Sequence, residues 1–135
     1  MEGFRFHYDI RVRWPEVDGQ LIVYNANYLM YLDLAFQQFF RHELKLYGEI
    51  PTTVLAKSTL QYHKSARFED ELSIWVRTNR IGNTSIVLDF AITRQEELIF
   101  EAQSIYVHVD EAGTPCPVPE HWRTALMSYE QGDAV

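Results

Sequence analysis

The clearest pattern in the chain is a strict alternation of apolar and polar residues near its start. From Phe4 to Trp14 every second residue is apolar, and each residue between them is charged or a histidine. This period of two is typical of a strand with one face on a core and the other in water. We therefore predict a first strand across this segment.

A long helical pattern follows the first strand. Apolar residues recur there at three- and four-residue steps and spread over most of the helix circumference. They are Tyr28, Tyr31, Leu32, Ala35, Phe36, Phe39 and Phe40, with Leu29, Met30 and Leu34 beside them. Asn25 and Asn27 are predicted to cap the helix start, and Gly48 and Pro51 to end it. Polar residues gather toward the far end, so we expect the first half to be buried and the second half to emerge.

Four further strands are predicted after the helix, because apolar, β-branched and aromatic residues recur there between turn signals. They span Thr52–His63, Glu71–Arg80, Ser85–Arg94 and Leu98–Val109. The first of them has an irregular middle near Lys57 and Ser58. Short turns at Gly82-Asn83 and at residues 95–97 predict an antiparallel meander for the last three. A short helical segment is predicted near Glu120–Tyr129.

This order of elements restricts the architecture. A single helix with one dominant apolar surface is buried only if the sheet curls around it. We therefore predict an α+β fold of the hot-dog type, in which a five-stranded antiparallel sheet wraps one long helix. The length of 135 residues and the hydrophobic content of 47% suit a single domain over residues 1–135.

Net charge and cysteine content indicate which classes of partner are disfavoured and which cellular compartment is predicted. The formal net charge is −7 and no run of Lys or Arg is present, which argues against a nucleic-acid partner or an anionic membrane partner. The chain has one cysteine, Cys116, and Met1–Phe6 shows no signal-peptide pattern, so we predict a cytoplasmic location. No apolar run reaches membrane-spanning length, so no membrane insertion is expected.

Candidate chemistry concentrates in the turn before the helix. Asp18 lies in a turn punctuated by Pro15 and Gly19, just ahead of the helix start. Free amides at a helix N-terminus polarise a carbonyl group, and their partial positive charge keeps a nearby carboxylate ionised. A carboxylate in that position can attack a carbonyl carbon or take a proton from water, while the amides stabilise the developing oxyanion. Spacing alone favours an ordinary turn aspartate.

The residues that follow Asp18 resemble a known family. The stretch Asp18–Tyr28, Asp-Gly-Gln-Leu-Ile-Val-Tyr-Asn-Ala-Asn-Tyr, resembles the 4-hydroxybenzoyl-CoA thioesterase family and the related acyl-CoA thioesterases of the Tol-Pal type. The resemblance extends over nearly the whole chain, through Ala66–Asp70 to Pro117–Pro119. It implies that Asp18 is the catalytic aspartate. Two positions depart from the family pattern: Leu21 stands where the family has a glycine, and Asn25 stands where many relatives have a histidine.

From these residues we predict a thioesterase that releases a carboxylic acid from an acyl-CoA or an acyl carrier protein. Asp18 is the nucleophile or general base, the Asn25 amide is the oxyanion donor, and Tyr24, Asn27 and Tyr28 contact the substrate. Two alternatives remain open. One is a hydratase or dehydratase, which in related hot-dog enzymes pairs an acid with a histidine. The other is an acyl-binding module without catalysis.

Other candidate residues are weaker. Glu16 is expected on a solvated strand end and Asp33 on the polar side of the helix. The histidines show no ligand spacing, so neither a metal nor a cofactor is predicted. No Gly-x-Ser-x-Gly motif is present, and Cys116 has no evident activating base in its proline-rich segment.

The resemblance also implies an assembly and a carrier contact. Family members form a homodimer with a continuous sheet, usually paired again into a homotetramer, with each site at a subunit interface. In the 4-hydroxybenzoyl-CoA enzymes the turn between the third and fourth strands is basic and meets the nucleotide phosphates. Here that turn is Arg80–Thr84 and carries one cation. Few charge-assisted phosphate contacts are therefore expected.

Overall fold

The computed structural model describes residues 1–48 and 52–132, which form five strands and two α-helices. In chain order these are β1 (Phe6–Arg11), α1 (Asn27–Gln37), β2 (Thr53–Tyr62), β3 (Glu71–Ile81), β4 (Ser85–Arg94), β5 (Glu97–His108) and α2 (Glu120–Glu130). A 3₁₀ turn, Trp14–Glu16, follows β1, and a π-helical segment, Gln38–Glu43, continues α1. No helix in this part of the chain is long and apolar enough to cross a membrane.

All five strands pair antiparallel in one sheet, in the order β1-β3-β4-β5-β2. The predicted meander is formed by β3, β4 and β5. The strand before the meander, β2, pairs with the outer side of β5, which leaves β1 and β2 as the two edges. The predicted irregularity in β2 is present, because its register against β5 shifts between Leu55 and Lys57.

The first strand is shorter than its alternation predicted. Val12 is buried, but the chain leaves the strand after Arg11, and Trp14 is 63% exposed in the 3₁₀ turn. Pro15 explains the difference, since it has no N–H for a sheet ladder and its fixed φ suits the first turn of a helix.

The core lies between α1 and one face of the sheet. All seven residues of the predicted helix stripe are buried: Tyr28, Tyr31, Leu32, Ala35, Phe36, Phe39 and Phe40. Phe6 of β1 contacts Phe39, with ring centroids 5.0 Å apart, and Tyr106 of β5 stacks on Phe36 at 4.2 Å. An edge strand and an inner strand therefore both reach the helix, as expected of a sheet that curls around it.

The second half of the helix does not emerge, and that prediction is wrong. Phe39 and Phe40 are fully buried in the π-helical segment. Tyr129 and Trp122 of α2 cover them, with ring centroids 5.4 Å from Phe39 and 5.7 Å from Phe40, respectively. The helical turns end at Glu43, before Gly48, while Pro51 lies outside the described residues.

Candidate active site

Asp18 lies in a small hairpin between β1 and α1. Val17 and Val23 form an antiparallel bridge, and the Asp18 amide donates to the Ile22 carbonyl at 2.9 Å. The side-chain Oδ1 of Asp18 accepts a hydrogen bond from the Gln20 amide at 2.8 Å. Within the described residues, Oδ2 has no hydrogen-bond partner. The hairpin therefore fixes the carboxylate through one oxygen and leaves the other available.

The tip of this hairpin requires an unusual backbone at Leu21. Its φ is 62°, in the left-handed region that favours glycine, and Leu21 stands where the family pattern has a glycine. Its amide still donates to the Asp18 carbonyl at 2.9 Å, and its side chain is 47% exposed. The turn is therefore kept without the glycine, at the cost of local backbone strain.

Leu21→Gly should stabilise the protein by about 0.5–1 kcal/mol, because relief of the left-handed strain exceeds the extra entropy of an unfolded glycine. Equilibrium unfolding in denaturant measures the change. Gln20→Gly is the matched control, since Gln20 lies in the same turn without a positive φ and should lose stability instead. Equal losses for both variants would contradict the strain at Leu21.

The start of α1 presents unpaired amides. The Asn27 amide donates to the Tyr24 carbonyl at 2.9 Å, but neither the Asn25 amide nor the Ala26 amide donates to an acceptor among the residues that the structure describes. The prediction that Asn25 or Asn27 caps this helix is wrong, because Ala26 is the N-cap residue and no side chain caps the amides. The Asn27 side chain instead donates to the Glu16 carbonyl at 2.8 Å. Two adjacent donors therefore stay open.

The hairpin and the helix start line a cavity of about 340 Å³. Its walls are Asp18, Ile22, Val23, Tyr24, Asn25 and Tyr28 on one side and Tyr62, His63, Lys64 and Ser65 on the other. Of the five predicted site residues, the cavity brings together four, and Asn27 is not part of its lining. The second wall comes from the end of β2, far away in the sequence.

Tyr28 and Tyr62 join the two walls. Tyr28 is buried, and its hydroxyl accepts a hydrogen bond from the Ala66 amide at 3.0 Å. Burial raises the pKa of Tyr28, against an opposing effect of that hydrogen bond, so the group is a neutral phenol. Its ring stacks on Phe100 and meets the edge of Tyr62. The Tyr62 hydroxyl donates to the Asn25 carbonyl at 2.8 Å, which ties β2 to the helix start.

The β2 wall also carries an imidazole and an ammonium group. His63 Nε2 lies 2.7 Å from Glu101 Oε2, and Lys64 Nζ donates to Glu97 Oε2 at 2.6 Å. Nothing near these residues in sequence indicated a site. They reach it because β2 pairs with β5, with Tyr62 opposite Phe100. A histidine is thus present in the cavity although Asn25 replaces the one of the family pattern.

The other candidate residues lie outside this cavity. Asp33 is exposed on α1, as expected. Glu16 is not on a solvated strand end, because it lies at the end of the 3₁₀ turn and is only 5% exposed. Cys116 does have a base beside it, since its Sγ lies 3.1 Å from His108 Nδ1. Across residues 1–48 and 52–132, no three His, Cys, Asp or Glu side chains come together to hold a metal ion.

Comparisons with known proteins agree with this fold. A thioesterase from Thermus thermophilus, solved with coenzyme A and zinc, superposes with a TM-score of 0.87 at 28% identity, over 97% of this chain and 98% of that one. A thioesterase superfamily protein from Jannaschia sp. CCS1 superposes with a TM-score of 0.84 at 24% identity, over 100% of this chain and 89% of that one. The second likeness supports the fold alone. Together they define the class as hot-dog proteins, which confirms the predicted fold.

The sequence comparisons identify the family. The family model described as the thioesterase-like superfamily matches residues 12–126. The acyl-CoA thioester hydrolase YbgC of Escherichia coli O6:H1 is 30% identical over 110 residues, which cover 78% of this chain and 82% of that protein. The chain belongs to the thioesterase-like superfamily. The prediction of a thioester hydrolase is thereby confirmed at the level of the family.

Proposed function

We propose that the chain hydrolyses acyl-CoA thioesters in the cavity beside Asp18. The observation that carries the proposal is that the Asp18 carboxylate and Asn25, whose amide is unpaired, line one cavity, with the unpaired Ala26 amide next in the chain. The names of the Thermus and Escherichia relatives support coenzyme A as the carrier. An acyl carrier protein remains the alternative donor of the acyl group.

In this proposal the amides of Asn25 and Ala26 donate to the thioester carbonyl oxygen. The charge that develops on that oxygen meets donors already aimed by the backbone, and the N-terminal end of α1 adds its partial positive charge. A helix of 11 residues has enough aligned peptide groups for this effect. Asn25 thus contributes through its main chain, so its difference from the family histidine leaves this role intact.

Asp18 acts on the carbonyl carbon by one of two routes. As a nucleophile it adds to the carbon, the C–S bond breaks, and water then hydrolyses the acyl anhydride. As a general base it takes a proton from the water that adds to the carbon. In both routes the sulfur leaves as a thiol after taking up a proton, and the acyl group leaves as the carboxylic acid. Tyr24 and Tyr28 are the aromatic surfaces beside the reacting bond.

The two routes can differ in where the oxygen atom of the attacking water ends up. Repeated turnover in ¹⁸O-labelled water leaves label in the Asp18 carboxylate if Asp18 is the nucleophile and water attacks its carboxyl carbon, whereas a general base gains none. Mass spectrometry of the peptide that contains Asp18 detects the label, and label found there identifies the nucleophilic route.

Thiol release by the purified protein tests the proposed function. Acyl-CoA substrates of several chain types and an acyl carrier protein are offered in parallel, and free thiol is followed with a disulfide reagent. Hydration of an enoyl-CoA without thiol release would instead support the hydratase alternative. Binding of acyl-CoA with no reaction of either kind would support the acyl-binding module.

The carrier contact gives a separate prediction. The exposed Arg80 lies at the turn between β3 and β4, and Arg123 of α2 donates to the Gly82 and Asn83 carbonyls there, so its guanidinium is partly engaged. We expect weak binding of free coenzyme A that weakens further with salt, because few cations face the phosphates and exposed charges are screened. Arg80→Gln should weaken the binding further, while Arg11→Gln should not, because Arg11 lies on β1 opposite Glu71, at the other end of β3 from Arg80. Sub-micromolar affinity that survives high salt, measured by calorimetry, would contradict this expectation.

We also propose that the chain assembles as a homodimer or homotetramer through its open edges. Edge strand β2 exposes three large apolar side chains, Val54, Leu55 and Tyr62, each about half exposed, and unpaired edges favour strand addition. Sedimentation at micromolar concentration should show no stable monomer. Leu55→Lys should weaken the assembly, whereas Met127→Lys, at a comparably exposed position on α2, should leave it unchanged. A stable wild-type monomer would contradict this expectation.

A further inference from the structure

Glu16 is a buried carboxylate that the proposed chemistry does not use. Its Oε1 accepts hydrogen bonds from the Arg13 amide at 2.8 Å and from the Tyr31 hydroxyl at 3.0 Å. Its Oε2 accepts from the Arg13 guanidinium, at 2.7 Å from Nε and 2.6 Å from Nη2. The carboxylate is thus fully paired although it is only 5% exposed.

The main chain of Glu16 holds a second set of contacts. Its carbonyl accepts from the Tyr24 amide at 3.0 Å and from the Asn27 side chain at 2.8 Å. Tyr24 ends the hairpin that carries Asp18, and Asn27 begins α1. One residue therefore closes the base of the hairpin and links it to the first and second turns of the helix, through Asn27 and Tyr31.

The presence of a buried carboxylate at this position requires a physical explanation. Burying a carboxylate is unfavourable unless it is paired and hydrogen-bonded, and a well-packed apolar residue often stabilises a fold as well or better. Burial raises the pKa of Tyr31, and the Glu16 hydrogen bond and negative charge raise it further, so this tyrosine is a neutral donor. The hydrogen bonds of the Glu16 carboxylate fix both the distance and the direction of its partners, whereas an apolar contact would fix neither.

We propose that Glu16 is a positioning residue that fixes the Asp18 hairpin against the amides of Asn25 and Ala26. Its side chain anchors the near strand of the hairpin to Tyr31, and its carbonyl anchors the far strand through Tyr24. The inference rests on the proposed role of Asp18. A fixed hairpin holds the distance between the Asp18 carboxylate and the oxyanion donors constant. Catalysis requires reacting groups to be placed to within a fraction of an ångström.

Tyr31→Phe and Glu16→Gln test this role, and the chain offers matched controls. The Tyr129 hydroxyl of α2 donates to Glu43 Oε2 at 3.1 Å, and Tyr129 is 3% exposed. Tyr129→Phe therefore removes the same kind of tyrosine–carboxylate contact from a buried ring outside the site, and Glu43→Gln neutralises its exposed partner. The measurements on all four variants are kcat, KM, thermal stability, and hydrogen exchange at the Asp18, Val23 and Tyr24 amides.

We expect Tyr31→Phe and Glu16→Gln to lower kcat on the order of 10- to 100-fold with little change in KM, because misplacement of the reacting groups affects the transition state more than binding. Exchange at the hairpin amides should become faster. Tyr129→Phe should lose about as much thermal stability as Tyr31→Phe, and Glu43→Gln should lose less because Glu43 is exposed, yet both controls should keep kcat and hairpin exchange. If Glu16→Gln does not fold, Tyr31→Phe decides alone.

Three results would overturn the inference. They are a kcat for Tyr31→Phe no lower than for Tyr129→Phe, unchanged exchange in the hairpin, or a rise in KM with kcat preserved. Asp18→Asn in the same assay separates the two proposals. An active Asp18→Asn protein removes the role of Asp18 and this inference with it, whereas an inactive one beside a fully active Tyr31→Phe protein overturns the inference alone.

Discussion

The Asp18→Asn protein should hydrolyse acyl thioesters about 100- to 10,000-fold more slowly than the wild type, the range typical for loss of general-base assistance. Asparagine keeps the shape of the side chain and can still accept the Gln20 amide through Oδ1. It is neither a nucleophile nor a base at neutral pH. The measurement is kcat for thiol release under saturating acyl-CoA.

Stability should change little in this variant. Asp18 is half-buried near the start of α1, where loss of a negative charge costs about 0.3–1 kcal/mol. The matched control is Asp33→Asn, since Asp33 is an exposed carboxylate on the same helix and should keep full activity. Near-wild-type hydrolysis by Asp18→Asn would require another carboxylate or catalysis by the helix terminus alone.

Phe36→Ala should have the largest effect on folding, a loss of about 3–5 kcal/mol in the free energy of unfolding. Phe36 is 2% exposed, and its ring stacks on Phe40 at 4.5 Å and on Tyr106 at 4.2 Å. Truncation therefore removes this contact between α1 and β5 and leaves a cavity. Denaturant unfolding followed by circular dichroism measures the loss.

Leu34→Ala on the same helix is the control for this effect. Leu34 is 39% exposed and lies on the other side of α1 from the core. Its truncation should cost much less, because most of the side chain is not removed from water on folding. Similar losses for the two variants would contradict the assignment of Phe36 to the core face.

The sequence predicted those parts of the fold that depend on local period. Apolar, β-branched and aromatic residues between short turns predicted the meander of β3, β4 and β5, and the helical stripe predicted the buried face of α1. The sequence did not predict that the second half of the helix is covered, because the cover on Phe39 and Phe40, Tyr129 and Trp122, comes from a short helix whose docking position has no local signal. The burial of the second half of the helix therefore depends on the packing of α2, which is a tertiary contact.

The candidate site also contains residues that the sequence predicted and a residue that it did not. Asp18, Tyr24, Asn25 and Tyr28 lie within one short motif, so their proximity was predictable from spacing and from the family resemblance. His63 was not, because only the register of β2 against β5 brings it to the cavity.

Glu16 was misplaced for a different reason. A charged residue just after the alternation that ends at Trp14 predicted a solvated strand end, but the chain forms a 3₁₀ turn over Trp14–Glu16 in which Glu16 is buried and Trp14 is exposed. A change of backbone period over three residues is too short for pattern reasoning to detect.

The hydrogen bond from Tyr62 to the Asn25 carbonyl has a consequence for the chemistry at the helix start. The Asn25 carbonyl and the Ala26 N–H belong to the same peptide group, which is planar. A donor at the oxygen therefore also sets the direction of the N–H, and hydrogen bonds in series polarise one another. Tyr62 lies on edge strand β2. The tilt and acidity of a proposed oxyanion donor are thus coupled, through a single amide plane, to the strand edge at which a second subunit is expected to bind.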